Sequence, residues 1–536
     1  MDPLTIFIAI LVGWVLHEFT TSLFRSSTQR LDDSRKRQAE VATTLPTPPT
    51  PPRNPDSGGT QGFFNNSHHF ILNQPVIKCA NESKQTVLPW LARFTMHGAE
   101  FDSSTRDPPP RCHPGTRIAI LEVIHHWIDN AQPIHRLMWL NGPAGVGKSA
   151  IVQTLAEELS VASRLGATLF FSRPHGCNNP IMVFPTIAYQ LAVRIPTYHE
   201  YLHQRMTDDP KILEKGMEHQ FGILIFEPFI NAVLPKDSGS WVIFLDGLDE
   251  CGDEEAQSLI IKLISHFSVH NPNSPLIWLI ASRPEAHLNL TFHSDRVVGS
   301  FSALNVPANS DVACRDVERF LRAKFKEIHY NYRDLVPVGT PWPAERAITS
   351  ISESVQGYFV LASILVRFIE DPHICDPISQ LAITLSIIED PEADPLSFLY
   401  MFYTRILENV PKSMLPVLQL LLGWTLAAPI LDVDEDVDEY PLVLNATVFN
   451  LQQHTVYAAL RKLHSVINVP PLEESGRRDI RFYHSSFADY LCDASQSGEY
   501  AINFEAVDTR VFWSYFAMLK GKVGDPHCEF FKFFAR

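Results

Sequence analysis

The sequence predicts an α/β fold, a doubly wound parallel sheet followed by a helical region. Three observations lead there. Short apolar runs, "RLMWL", "ATLFF", "WVIFL", "PLIWLIAS" and "VVGSF", alternate with helical segments such as "FPTIAYQLAVRI" and "DEEAQSLIIKLISHF". The runs are apolar on both faces, as strands are when helices cover a mainly parallel sheet from both sides. After about Leu304 the strand signal fades, and "VERFLRAKFKEI", "AERAITSISESVQGYFVLASILVRFIED" and "PLSFLYMFYTRILENV" read as helices.

The first regular element is "TRIAILEVIHHWIDNA", where Ile118, Leu121, Ile124 and Ile128 recur at helical spacing beside Trp127. After the strand "RLMWL" comes a glycine-studded turn, Gly142-Pro143-Ala144-Gly145-Val146-Gly147-Lys148-Ser149, with helix-forming sequence from Ala150 onward. It fits G-x-x-x-x-G-K-[ST] at every fixed position, between a strand and a helix as the mechanism requires. Glycines let backbone N–H groups turn toward phosphate oxygens, and the positive end of the following helix adds to the attraction. Lys148 is then expected at the β and γ phosphates of ATP or GTP, and Ser149 on Mg²⁺.

The strand "WVIFL" delivers Asp246 at its tip, followed by Asp249 and Glu250. A carboxylate at that strand end is expected on the metal, and one three or four residues later on the water that attacks the γ phosphate. The alternative for these acids is a capping role at the start of the next helix. In "LIWLIASRPEAHL" Arg283 also stands at a C-terminal strand end, over the nucleotide crevice of such a sheet. There it can sense the γ phosphate, or simply pair with a neighbouring acid, as can Arg173 in "LFFSRPHG".

Bulk properties set the remaining bounds. At 536 residues the chain exceeds one ordinary core, so roughly two to four domains are expected. A net charge of −16 argues against a broad nucleic-acid-binding face. The eight cysteines are scattered, without a C-x-x-C pair, which signals neither zinc nor a disulfide framework and fits a cytoplasmic location. The N-terminal run Leu4–Leu16 is apolar apart from Thr5 and is followed by His17 and Glu18. As a helix it covers roughly 20 Å of a hydrocarbon core of roughly 30 Å. Residues 4–24 are thus either a membrane anchor or a helix that docks on protein. Asp432, Asp434, Asp436 and Asp438 have the spacing of a calcium loop, but Val437 stands where that loop needs glycine, so a solvated acidic turn is expected.

Taken together, "GPAGVGKS", "FLDGLDEC" and "ASRPE" resemble a NACHT domain of the STAND class of signalling P-loop NTPases. The flanks "CHPGTR", "FFSR", "PTIAYQLA" and "IRFYHSSFADYL" are similar to the fungal, nephrocystin-3-like branch. The resemblance implies a P-loop sheet followed by helical and winged-helix domains that together clamp ADP. It implies a β-phosphate contact for His484, which from chemistry alone is only a histidine at a strand-to-helix junction. It also sets Thr116 and Arg117 in the segment that lines the adenine, and Gly357 where relatives carry a Gly-x-Pro turn, with Phe359 in place of the proline.

The expected organisation is an N-terminal helix at 1–24, a proline-rich linker at 25–62 and a connecting segment at 63–115 whose weak signals assign it no function. The nucleotide-binding domain follows at 116–304, a helical domain at 305–395, a winged-helix-like domain at 396–510 and the start of a further helical region at 511–536. The expected function is a signalling switch, closed with ADP, open and self-associating with ATP, slow in hydrolysis, and responsive to a protein ligand. The competing readings are a turnover ATPase or kinase, a scaffold that binds nucleotide without hydrolysis, and a truncated switch lacking sensor repeats.

Overall fold

The computed structural model describes residues 87–130, 134–230, 240–335, 341–388, 395–427 and 441–522. The chain divides into two units, Met1–Thr86 and Val87–Arg536, and every described residue belongs to the second. The N-terminal run at 4–24, the linker at 25–62, the acidic stretch from Asp432 to Asp438 and the closing "FFKFFAR" lie outside the described residues. Among the described residues no helix is long and apolar enough to cross a membrane.

Five parallel strands form the central sheet: Leu137–Asn141 (β1), Leu165–Phe170 (β2), Trp241–Asp246 (β3), Leu276–Ser282 (β4) and Ser302–Asn305 (β5). Their order is β2-β3-β4-β1-β5. From β1 the chain crosses to the far edge at β2, returns through β3 and β4, and then passes β1 to form β5. The direction therefore reverses at β1 and β4, and the crevice of a doubly wound sheet opens at the C-terminal ends of such strands. Register aligns those ends: Asn141 lies opposite Ser282, and Asp246 opposite Ala281.

Alternate residues of each strand feed two cores. Met138, Leu140, Phe244 and Leu279 pack with Ile124, Ile128, Ile151 and Leu155 from helices α1 (Ile118–Asp129) and α2 (Lys148–Val161). Trp139, Ile243, Leu245 and Trp278 face the other side. There they meet α3 (Val183–Arg194), α4 (Pro196–Asp208), α5 (Glu254–His270) and α6 (Ala286–Phe292). Helix α5 starts where its sequence says it should: Asp253 caps the Ala256 N–H at 2.8 Å, and Glu254 and Glu255 sit in the positive first turn.

One strand expectation is corrected. Val297–Phe301 is not a strand but a turn around Gly299 (φ +78°), and β5 begins at Ser302. Being at the sheet edge, β5 alternates half-buried with exposed residues, so it lacks the all-apolar signature of its neighbours.

Beyond the sheet run α7 (Asp311–Asn331), α8 (Glu345–Val355), α9 (Phe359–Ile369) and α10 (Pro377–Ile388). The helical pattern between Glu345 and Ile369 is broken at Gln356 (φ +46°) and Gly357 (φ +82°). A Cβ on Gly357 would lie 2.9 Å from that of Ala313, so α7 packs against bare backbone there. This break turns the start of α9 toward the phosphate loop. The C-terminal part comprises α11 (Pro395–Glu408), α12 (Leu415–Ala427), α13 (Leu442–Val448) and α14 (Gln453–Leu460), then α15 (Ser485–Cys492) and α16 (Phe504–Lys522). Between α14 and α15 lies an antiparallel pair, Ile467–Asn468 (β6) with Arg481–Phe482 (β7). The strand expected over "IRFYH" is thus confined to two residues, and His484 leaves it to cap α15.

Candidate functional site

A cleft of about 720 Å³ opens at the C-terminal rim of the sheet. Its floor is formed by Ala144, Gly145 and Gly147–Ala150 of the phosphate loop, and its walls come from α9, from the β7–α15 junction and from the segment before α1. Gly145 sits at φ +78°, and a Cβ there would lie 2.2 Å from Val360 Cγ1, so only glycine fits. The Val360 N–H at the start of α9 donates to the Gly145 carbonyl at 3.1 Å. Lys148 folds back over the loop, and its Nζ donates to the carbonyls of Gly142 (2.7 Å) and Pro143 (2.9 Å). Burial lowers its pKa to about 8, while Asp249 and Asp246 work to hold the proton on.

Asp246 is buried beside Ser149, whose hydroxyl bonds to it. Its Oδ1 has no hydrogen-bond partner, and burial pushes its carboxyl up to about 6. An unpaired buried carboxylate oxygen next to a serine hydroxyl, at the mouth of a phosphate loop, is a donor set of the hard oxygen type that suits Mg²⁺.

Of the two acids, Asp249 or Glu250, from which a water-positioning residue is expected, Asp249 is bonded to Arg283. Its Oδ1 accepts the Arg283 backbone N–H at 3.0 Å, and its Oδ2 lies 3.2 Å from Arg283 Nε. It therefore orients the arginine. Glu250 accepts the Arg173 N–H at 3.2 Å, is hydrogen-bonded to the Ser485 side chain and lies 3.9 Å from Arg283 Nη2. Burial and the charge of Asp249 push it up to about 7, against the pull of Arg283. Arg173 also donates to the Asp249 carbonyl at 2.7 Å, which makes it a brace for the acidic tip.

Arg283 reaches across the cleft, where Nη2 donates to Ser485 Oγ (3.0 Å) and Asp489 Oδ2 (3.2 Å), both on α15. Burial lowers its pKa, but Asp489, Asp249 and Glu250 outweigh that and raise it overall. His484 stands at the head of the same helix, and its Nδ1 accepts the Ser486 N–H at 3.1 Å. Burial, then Arg283, Lys148 and Arg367, push His484 down to about 3. The ring is neutral at physiological pH, with its proton on Nε2, and it lines the cleft as a donor.

Thr116 lines the cleft, and its hydroxyl donates to the His113 carbonyl at 2.7 Å within a turn. Its neighbour Arg117 sits at φ +57°, donates to the Val146 carbonyl at 2.8 Å and lies over the Phe359 ring at 4.9 Å. Pro143, Ala144, Val146, Gly147 and Ala150 keep their expected places in the loop and first helical turn. Sequence reading missed Ser485 and Asp489. Their i, i+4 spacing, which sets both on one helix face, was the available signal.

Against this geometry, the family described as Nephrocystin 3, N-terminal, matches residues 115–283, from the approach to α1 through Arg283. This segment is a P-loop NTPase domain of the NACHT type. The NACHT segment is also similar to the vegetative incompatibility protein HET-E-1 of Podospora anserina. The identity is 25% over 151 residues, which is 28% of this chain and 11% of that protein. The match thus spans a small part of the relative. Among solved structures, the chain is similar to the Walker-type ATPase PABY2304 of Pyrococcus abyssi, at TM-score 0.32 and 13% identity over 71% of this chain and 97% of that one. It is also similar to Cdc6p from Pyrobaculum aerophilum, at TM-score 0.33 and 10% identity over 77% and 97%. At such scores the fold of the NACHT segment rests on its own sheet order and phosphate loop.

Proposed function

We propose that this chain is a nucleotide-operated signalling switch of the STAND class, which binds ATP or GTP with Mg²⁺ and hydrolyses it slowly. One observation carries the reading: Arg283, at the tip of the strand between the phosphate-loop strand and the acidic strand, is hydrogen-bonded to Ser485 and Asp489 of α15. A nucleotide in the cleft therefore competes with α15 for the same guanidinium.

In this reading, Gly142–Ala150 wraps the phosphates, Lys148 meets the β and γ phosphates, and Ser149 and Asp246 hold Mg²⁺, which neutralises charge on the phosphate oxygens. Glu250 orients the attacking water, and Asp249 acts through Arg283. His484 donates from Nε2 to a β phosphate. With a diphosphate, Arg283 keeps α15 against the sheet and the molecule stays closed. A γ phosphate draws Arg283 away, α15 is released, and the open form self-associates. A ligand can shift such an equilibrium only through contacts that differ between the two states, and the contacts of Arg283 do differ. Residues 305–395 and 396–510 then act as the helical and winged-helix-like arms of the clamp. The antiparallel pair β6–β7 preceding α15 supports the second assignment.

The test is to identify the purine nucleotide that co-purifies with the protein, then compare size distributions with Mg·ADP and with a non-hydrolysable triphosphate. The expected result is a larger assembly with the triphosphate for wild type and no change for Lys148→Ala. A size indifferent to nucleotide in both proteins sinks the switch.

A further inference from the structure

The segment ahead of α1 is a built wall of the cleft rather than a passive connection. It runs along the edge strand β2 and onto α2. The Phe170 N–H donates to the Ala99 carbonyl (2.9 Å), the Phe101 N–H to Thr168 Oγ1 (3.0 Å), and the Cys112 N–H to Thr154 Oγ1 (3.1 Å). Across the cleft, Arg481 donates to the Ser104 carbonyl at 3.0 Å. Between these anchors a short turn, Ser104–Arg106, presents one arginine to the cleft.

The Arg106 guanidinium lies 3.5 Å over the Phe170 ring, and Phe170 faces Asp246 in the sheet register. Arg106 thus stands on the β2 side of Asp246, while the elements that carry Lys148 and Arg283 lie on the opposite side of β3. Its Nη2 donates to Gln153 Oε1 at 3.3 Å. Gln153 is itself fixed by donating to the Phe101 carbonyl (2.9 Å) and Glu157 Oε1 (2.7 Å). The buried Nε of Arg106 has no partner. Burial lowers its pKa to about 10, and Asp246 and then Cys177 oppose that, so it remains a cation at neutral pH. A pinned guanidinium with an unsatisfied buried donor, facing a phosphate-loop cleft, is matched by a phosphate oxygen in a planar, charge-assisted hydrogen bond.

We propose that Arg106 is a terminal-phosphate ligand, delivered to the metal side of the cleft by the segment before α1, so that the site distinguishes a nucleoside triphosphate from a diphosphate. The inference rests on the cleft being the nucleotide site proposed above. Arg283 is occupied by Asp249 and α15 in this arrangement, whereas the hydrogen bond Arg106 makes among the described residues is the 3.3 Å contact with the neutral Gln153 amide oxygen. It can therefore register a γ phosphate before Arg283 lets go.

The test uses calorimetric binding of Mg·AMP-PNP, Mg·GMP-PNP and Mg·ADP or Mg·GDP to the full chain, wild type against Arg106→Gln and Arg106→Lys. The expected result is that Arg106→Gln lowers affinity for the triphosphate analogue by about 10- to 100-fold and leaves diphosphate affinity within about threefold. Arg106→Lys, which keeps the charge, recovers part of the loss at a wild-type melting temperature. Equal loss for both nucleotides, or no loss for either, overturns the inference while wild-type binding leaves the nucleotide site standing. A wild type that binds neither nucleotide overturns both.

Discussion

Glu250 and Asp249 show how two adjacent acids on one strand tip acquire different work. Asp249 is clamped on the backbone and side chain of Arg283, while Glu250 is held by the Arg173 N–H at 3.2 Å and the Ser485 side chain and has its pKa pushed up to about 7. A group poised near neutrality is suited to accept a proton from water, which Asp249, already committed to Arg283, is not. Two outcomes are expected for Glu250→Gln. Hydrolysis, which in wild type rises with pH through about 7, drops to background and loses that dependence in single-turnover assays. The second concerns stability. A carboxyl raised from 4.5 to about 7 favours the folded state fully below its unfolded value, and that contribution is lost as pH rises through 7. The shift corresponds to about 3 kcal/mol. Glu250→Gln should therefore gain melting temperature over wild type at pH 8 and show little gain at pH 4. An equal difference at both values would remove Glu250 as the titrating group.

At the scale of elements, the docking of α9 on the phosphate loop is what turns a glycine-rich strand end into a shaped cleft. The Gly357 break aims α9, the Val360 N–H bonds the Gly145 carbonyl, and the Val360 side chain fills the space a Cβ on residue 145 would take. Gly145→Ala meets both a left-handed backbone and that contact, at a combined cost of roughly 2–4 kcal/mol. In the Val360→Ala background the 2.2 Å clash with Cγ1 disappears, leaving the backbone part and a tight 3.0 Å contact with the remaining Cβ. Denaturant melts of the four proteins in a double-mutant cycle should give a coupling of about 1 kcal/mol or more. Additive effects would mean that α9 does not rest on the loop. The helical periodicity of 345–369 was legible in the sequence, and so was the break residue Gly357. The direction in which the break aims α9 was not, because it depends on α7 packing against bare backbone at Gly357.

For the whole molecule, Arg283 links the sheet to α15, with side-chain exposure of 27% for the arginine and 44% for Asp489. A pair so open to water adds only about 0–1 kcal/mol to folding. It can still bias a two-state equilibrium, since 1.4 kcal/mol is a tenfold shift. Replacing Ser485 and Asp489 together by alanine should leave the melting temperature within about 2 °C. It should also raise the fraction of large species in Mg·ADP several-fold by light scattering. An unchanged size distribution would show that the Arg283 contact does not hold the closed form.

The sequence alone determined the parallel sheet, the phosphate loop and the acidic tip, because each is encoded by local patterns: apolar runs, a glycine spacing, and carboxylates at a strand end. The three motifs that give the NACHT segment its character were likewise readable without coordinates. Tertiary structure alone decided which residues face those motifs. Arg106, Ser485, Asp489 and Val360 come from positions far along the chain, and beyond the i, i+4 spacing of Ser485 and Asp489 nothing local marks the contacts they make. Thr116 satisfies itself locally, and β5 hid because an edge strand is free to alternate. Phosphate chemistry is written in backbone geometry that a short motif can specify. The closing of a cleft depends on long-range packing, which only the folded chain brings together.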